Sequence, residues 1–416
     1  MGYQPRLVDE QLRGRLASAG AVLLEGAKAC GKTETARQQA HSIVQFDTDQ
    51  QVPIQMDLDP FTVLQGATPR LLDEWQEYPN IWNYVRREID SRKEKGQFIL
   101  TGSATPTEDV RRHSGAGRFS QIRMRTMSLQ ECGWSTGEIS LSQLFQDTHI
   151  TSNTVDFSLE SLVQKLSTGG WPDLIGSSSL QDAQLFSRDY INQIAHVSTS
   201  FGERRRNPIR LRRLLNSLAR NIASETSLTA LAQDTGGNES PMSIEAVRGY
   251  LDSLESLMII EPQPAWNTHI RSSDTLRKAA KWHFVDPSLA IGSLELSAEK
   301  LSNNLNYLGM LFESLVIRDL RIYADLLGGK IFHYRDSRGV EVDAIVETPD
   351  GEWMAIEVKL GMAAADAAAA NLLTFAQKID TEKVPKPCAL IVITANGFAH
   401  RRKDGVLVIP ISTLGA

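Results

Sequence analysis

Eight residues near the start of the chain, Gly26-Ala27-Lys28-Ala29-Cys30-Gly31-Lys32-Thr33, constrain its fold more than any others. They fit the pattern G-x-x-x-x-G-K-[ST], and their flanks have the matching character. Ala21-Val22-Leu23-Leu24 before them is a short apolar run of the kind a buried strand shows, and Glu34 to Ala40 after them reads as helix. Strand, glycine loop and helix in succession open an α/β layer whose loop N–H groups curl around an anion at the positive end of the helix. Lys32 would reach the β- and γ-phosphates of a nucleoside triphosphate, and Thr33 would bind Mg²⁺ through its hydroxyl.

At 416 residues the chain is too long for one ordinary core, so two or three domains are expected. Hydrophobic residues make up 41% and charged residues 23%, a globular and not a disordered composition. The net charge of −6 excludes a globally basic nucleic-acid glove, so any such contact must come from local patches. Apolar runs such as Ala389 to Ile393 are strand-sized, the N-terminus has no secretory apolar region, and no membrane partner is expected. Cys30, Cys132 and Cys388 are scattered and odd in number, which suggests neither a disulfide framework nor a zinc site. The expected location is cytoplasmic.

Two further elements sharpen the triphosphate reading. Arg70-Leu71-Leu72 leads into Asp73-Glu74, where Asp73 can hold Mg²⁺ through its water shell and Glu74 can polarise a water for attack on the γ-phosphate. Gly96 to Gly102 reads as a buried strand delivering Thr101 and Ser103 at its C-terminal end, the edge where open α/β sheets bind ligands. Taken with His113-Ser114-Gly115-Ala116-Gly117-Arg118, Met127-Ser128-Leu129-Gln130-Glu131 and Gly169-Gly170-Trp171-Pro172, these segments resemble a prokaryotic subfamily of AAA-type ATPases with a C-terminal domain of unknown function. The resemblance runs over most of the chain. It implies ATP as the nucleotide, no guanine-reading motif being evident. By analogy with arginine fingers it makes Arg118 the leading candidate to touch the γ-phosphate of a neighbouring copy, with Arg111 and Arg112 in competition. A homo-oligomer would then be required.

From about Trp134 to Ser178 the chain turns Ser/Thr-rich and reads as lid and linker, with a sharp turn at Gly169 to Pro172. Helical patterns follow at Ile209 to Ala223, at Ser227 to Asp234 with a good N-cap residue, and at Ser243 to Leu254, and then a strand at Leu257 to Ile260. That order is the order of a winged helix-turn-helix. Between Glu203 and Arg220 seven arginines (Arg204, Arg205, Arg206, Arg210, Arg212, Arg213, Arg220) face one acid, which reads as a phosphate-contacting patch for nucleic acid, DNA in the first place. Base reading looks weak, because Glu245 and Asp252 offset Arg248 on the third helix.

The last third carries a second constellation. A helix from about Asn303 to Ala324 precedes strands at Lys330 to Arg335, Val340 to Val346 and Trp353 to Lys359, then an alanine-rich helix from Met362 to Lys378 and a strand at Ala389 to Thr394. Strand alternation places Glu341 and Asp343 on one face, and Ala355, Glu357 and Lys359 on one face of the next strand. Asp343, Glu357 and Lys359 therefore converge if the two strands are neighbours. Asp followed by Glu-x-Lys, in this element order, resembles the PD-(D/E)XK nuclease fold. The resemblance implies Mg²⁺ or Mn²⁺ held by Asp343 and Glu357 with Glu313 from the first helix, and Lys359 orienting water or stabilising the phosphate. Carboxylates about 4 Å apart repel by roughly 4 kcal/mol, so a cation is expected among them. The competing reading is that Lys359 neutralises the cluster as an inert ion-pair network. Glu341 and Arg335 could also enter the site.

The expectation is an α/β chain: an AAA-type ATPase over residues 1–135, a helical linker and winged-helix region over 136–275, and a PD-(D/E)XK nuclease-like domain over 276–416. Functionally, ATP binding and hydrolysis would control a metal-dependent nuclease-like domain acting on nucleic acid. The alternative is an ATP-dependent switch or adaptor whose nuclease-like domain is non-catalytic and binds nucleic acid or a protein.

Overall fold

Five short stretches in the first 126 residues become parallel strands, the central three buried almost throughout and the two edge strands only in part. In the computed structural model, which describes residues 2–102, 115–150, 152, 157–176, 179–197, 207–236, 240–267, 279–336, 338–382 and 384–416, the elements of this part run α1 (Val8–Ser18), β1 (Ala21–Gly26), α2 (Lys32–Arg37), β2 (Ser42–Gln45), α3 (Val52–Leu58), β3 (Arg70–Asp73), α4 (Ile81–Arg92), β4 (Phe98–Gly102) and β5 (Phe119–Met124). The sheet order is β2-β3-β4-β1-β5, and every pairing is parallel. Alternate residues feed two cores. Val22, Leu24, Leu71 and Ile99 pack with Leu12 and Leu16 of α1, while Leu23, Leu72 and Leu100 pack with Val85 and Ile89 of α4. Helices on both faces are what an all-parallel sheet requires.

The chain divides into two compact units, residues 1–126 with Ser256–Met258, and the remainder. The middle and the last third therefore make one unit, where the sequence suggested two. Its first half is β6 (Ile139–Ser140), α5 (Leu159–Thr168), α6 (Leu180–Val197), α7 (Pro208–Arg220), α8 (Leu228–Asp234), α9 (Ile244–Ser256), β7 (Ile260–Gln263) and β8 (Lys281–Phe284). Then follow α10 (Ser288–Leu294), α11 (Ala298–Ser302), α12 (Leu305–Leu326), β9 (Lys330–Arg335), β10 (Glu341–Glu347), β11 (Trp353–Lys359), α13 (Ala365–Lys378), β12 (Ala389–Thr394), β13 (His400–Arg401), β14 (Leu407–Pro410) and β15 (Leu414–Gly415).

The expected linker is corrected by α5. Ser158 Oγ caps the helix by accepting from Ser161 N at 3.1 Å, and Leu162, Val163 and Leu166 are buried. Trp171, expected in a turn, is wholly buried and donates through Nε1 to Ser288 Oγ at 2.9 Å. The expected strand at Leu257–Ile260 starts later, at Ile260, because Met258 takes a left-handed φ of 57°. β7 and β8 form an antiparallel pair, so three helices are followed by a two-stranded hairpin.

The larger sheet is mixed, in the order β13-β14-β12-β11-β10-β9. β9, β10 and β11 are antiparallel neighbours, and β11, β12 and β14 run parallel. Small Ala365, Ala368 and Ala369 let α13 lie close on Val342, Ala355 and Val392, while α12 packs against β9, β10 and β11. A buried charge triad binds the halves into one unit. Arg318 of α12 pairs with Asp286 (2.9 Å) and Asp319 (2.8 Å), and those carboxylates accept from Gly170 N and Leu129 N, each at 2.9 Å.

Candidate nucleotide and carboxylate sites

The first site lies at the C-terminal ends of β1, β3 and β4. Inserting β4 between β1 and β3 separates the glycine loop from Asp73-Glu74 by one strand and brings Thr101 between them. Asp73 Oδ1 accepts two hydroxyls, Thr33 Oγ1 at 2.8 Å and Thr101 Oγ1 at 2.6 Å. Asp73 and Thr101 are buried. Lys28 and Ala29 form the exposed crest of the loop, and Ala27 and Cys30 are buried beneath it. Two glycines are required here. Gly31 has φ 99°, and a Cβ on Gly26 would lie 2.3 Å from Met124 O.

Lys32 is buried at the start of α2, and its Nζ donates to Gly26 O (3.0 Å) and Ala27 O (2.9 Å). These are neutral acceptors that an anionic phosphate outcompetes. Glu74 directly follows β3 with φ 53°, a strained setting for a non-glycine residue, and its Oε2 accepts from Gln76 Nε2. Sequence reasoning missed Arg6, which is buried and donates to Cys30 O at 2.9 Å and Arg125 O at 3.0 Å, bracing the loop from behind. Arg118 is over a third exposed and paired with Asp90 of α4 at 2.7 Å. Ser103, Arg111, Arg112, His113 and Ser114 lie outside the described residues.

The second site forms where the sequence placed it. Ala344 pairs with Ile356, so the same register sets Asp343 opposite Glu357, and Val358 N donates to Asp343 Oδ2 at 2.8 Å. Lys359 Nζ lies 2.6 Å from Glu357 Oε2 and 3.3 Å from Asp343 Oδ2. Asn371 of α13, unanticipated, donates to Glu357 Oε1 at 2.8 Å and Glu341 O at 2.6 Å. Glu313 comes from α12 as expected, but its partner is a second lysine. Lys281 of β8 reaches Glu313 Oε1 at 2.8 Å, Glu341 Oε1 at 3.2 Å and Asp343 Oδ1 at 3.7 Å. Arg335 is not in the site; it is half exposed and 4.0 Å from Glu225.

Four carboxylates and two ammonium groups thus share one site. Burial, followed by repulsion from Asp343, pushes Glu313 and Glu357 above the ordinary carboxylate range, against the pull of Lys281 and Lys359 respectively. Burial opposes the charge on both lysines, but the surrounding carboxylates outweigh it and raise them. Among the described residues, no group of three His, Cys, Asp or Glu side chains is arranged to hold a metal ion. Glu313, Asp343 and Glu357, the residues expected to hold a metal, lie instead in contact with Lys281 and Lys359 in this structure.

The arginine patch is also changed. Arg212 donates to Ser293 O and pairs with Glu295 (3.1 Å), Arg213 donates to Thr235 O and Gly236 O, and Arg220 pairs with Asp234 (3.1 Å). These arginines satisfy the ends of α8 and α10. Arg204, Arg205 and Arg206 lie outside the described residues. No helix among the described residues is long and apolar enough to cross a membrane.

Three family models match successive segments of the chain. Residues 18–133 match the family model of an AAA domain, residues 159–300 a domain of unknown function (DUF8612) and residues 308–414 a domain of unknown function (DUF4143). The chain is 24% identical over 352 residues to the uncharacterized protein Rv2008c of Mycobacterium tuberculosis, an alignment covering 81% of this chain and 70% of that protein. The uncharacterized protein Mb2031c of Mycobacterium bovis matches to the same extent. Among solved structures, the Walker-type ATPase PABY2304 of Pyrococcus abyssi aligns at 11% identity over 71% of this chain and 96% of that one, with a TM-score of 0.44. The glycine loop, Asp73-Glu74 and Thr101 all fall inside the AAA match, so the N-terminal part of this chain is similar to an AAA domain over the segment that carries its candidate nucleotide site.

Proposed function

We propose that the chain binds and hydrolyses ATP and acts as an ATP-dependent switch on its second unit. The observation that carries this reading is the hydroxyl–carboxylate chain Thr33–Asp73–Thr101, beside a lysine that donates to two loop carbonyls. Lys32 would exchange those carbonyls for the β- and γ-phosphates. The donor set of Thr33 and Asp73 fits Mg²⁺, which would supply charge neutralisation at the phosphates when bound. Glu74 would hold and polarise the attacking water, and the Thr101 hydroxyl fixes the rotamer of Asp73. Arg118 remains the candidate finger, which a neighbouring copy would have to draw away from Asp90. Glu74→Gln is expected to retain ATP binding and to lower phosphate release by about 10²-fold or more. Phosphate release that is unchanged in Glu74→Gln, or absent in the wild-type chain, contradicts the reading.

For the second unit, a PD-(D/E)XK-like fold is supported by the convergence of Asp343, Glu357 and Lys359. Of its two uses, the switch or adaptor reading is favoured over a metal-dependent nuclease, because the Lys281 ammonium lies against Glu313, Glu341 and Asp343, where a metal would have to sit. As they stand, those carboxylates do not fit a Mg²⁺ or Mn²⁺ ion. Nucleic acid, DNA first, is the proposed partner, engaged through the 204–220 segment and the C-terminal domain, for which Arg212, Arg213 and Arg220 would have to leave their partners at α8 and α10. Salt-sensitive DNA binding without cleavage is the expected outcome in a gel-shift assay with Mg²⁺ or Mn²⁺, and cleavage lost in Asp343→Ala would restore the nuclease reading.

A further inference from the structure

Lys281 does not belong to the sheet that carries the carboxylates. It opens β8, on the β7–β8 hairpin, yet its side chain is only 3% exposed and its Nζ sits among three carboxylates of α12 and β10. The hairpin is seated firmly against that core. Gln263 of β7 donates to Phe332 O and Asp343 O, each at 2.9 Å. His283 of β8 bridges Gln263 Oε1 (3.0 Å) and Ser314 Oγ (3.1 Å), the residue next to Glu313. Just beyond β7, Trp266 N donates to His333 O at 2.6 Å and His333 N to Pro264 O at 3.0 Å. Lys281 is therefore placed by its neighbours on the hairpin and is not a surface lysine that swings in.

We propose that Lys281 is the resident cation of this site, so that its ammonium and a divalent metal exclude one another and the β7–β8 hairpin acts as a plug. The geometry is that of a small cation: one positive atom in contact with carboxylates from three positions, two of which (Glu313 and Asp343) the nuclease resemblance would give to metal. A divalent metal on Glu313 and Asp343 would occupy the position of the Lys281 ammonium and repel it strongly in a site shielded from water. With Lys281 and Lys359 both present, each of the four carboxylates touches an ammonium, so part of their mutual repulsion is offset from within the chain. The inference rests on reading Asp343, Glu357 and Lys359 as a PD-(D/E)XK-like cluster, and it adds a residue from outside that fold which keeps the cluster closed.

The test is Mn²⁺ binding to the full-length chain without nucleotide, followed by the electron paramagnetic resonance of free Mn²⁺, in a Thr33→Ala background that silences the loop site. The wild-type cluster is expected to show no Mn²⁺ site that Asp343→Asn removes. Lys281→Met is expected to create one, with affinity at least about tenfold tighter, and adding Asp343→Asn should abolish it. An Asp343-dependent site in the chain with Lys281 intact overturns the proposal, as does a folded Lys281→Met chain that gains no site. If Lys281→Met does not fold, as judged by circular dichroism, the wild-type and Asp343→Asn pair alone decides. A Lys281→Met chain that binds Mn²⁺ but leaves DNA uncut upholds the plug and removes the nuclease reading, so the two failures are distinguishable.

Discussion

Lys32 and Lys281 are both buried lysines at the centre of a candidate site, and their partners are opposite in kind. Lys32 rests on two backbone carbonyls of its own loop, at 3.0 and 2.9 Å. Lys281 rests on three carboxylates. A carbonyl dipole is a weak tether, which an anionic ligand displaces at little cost. A carboxylate is a full counter-charge, and pulling the ammonium away leaves a buried negative group uncompensated. The first lysine is available for chemistry and the second is committed to structure. A motif containing a conveniently placed lysine therefore says little until its resting partner is known.

The sharpest way to break this contrast is to remove each lysine and compare stability. Lys281→Ala is expected to destabilise the second unit by about 3–5 kcal/mol, the usual cost of stripping one partner from a buried pair. Urea denaturation followed by tryptophan fluorescence would measure it, and a loss below about 1 kcal/mol would mean that the carboxylates find another neutraliser. A smaller effect is expected from pH. His283 is held well below its ordinary value of 6.5 by burial, then by Arg321 and Lys281 and with a further contribution from His333, while Glu261 acts in the opposite direction. With the folded pKa depressed, the unfolded chain binds the extra proton. The stability from His283 is present above pH 6.5 and is lost as pH falls. Between pH 7.5 and 5.5 the wild-type chain should lose more stability than His283→Gln does, on the order of 1 kcal/mol. Parallel pH profiles for the two proteins would remove His283 from the account of the hairpin's seat. The smallest change belongs to Lys32→Ala, which should alter the stability of the N-terminal unit by about 1 kcal/mol, since only two hydrogen bonds to neutral loop carbonyls are lost. A larger loss would place Lys32 among structural residues.

What the sequence revealed was chiefly local. The loop from Gly26 to Thr33 declares itself because its neighbours Ala21 to Leu24 and Lys32 to Arg37 do form strand and helix. Asp343, Glu357 and Lys359 could be brought together by period-two alternation alone, and the pairing of β10 with β11 supplied the remaining condition. Lys281 and Asn371 were invisible because neither shares a strand or helix with its partners. The arginines of α7 were legible as charge but not as bonds: their partners, the backbone ends of α8 and α10, carry no sequence signal. By contrast α5 was within reach. Ser158 as a cap, then Leu159, Leu162, Val163 and Leu166 at helical spacing, form an amphipathic pattern that the Ser/Thr-rich surroundings concealed.

The contrast turns on whether Lys32 is free to trade its carbonyls for phosphate. Equilibrium binding of a fluorescent ATP analogue with Mg²⁺, compared between the wild-type chain and Lys32→Ala, tests this most directly. Saturable binding by the wild-type chain, weakened by about 10²-fold or more in Lys32→Ala, is the result expected from a lysine poised for an anion. Equal affinity in both proteins would contradict the assignment of the glycine loop as the nucleotide site, and with it the account of this chain as an ATP-driven switch.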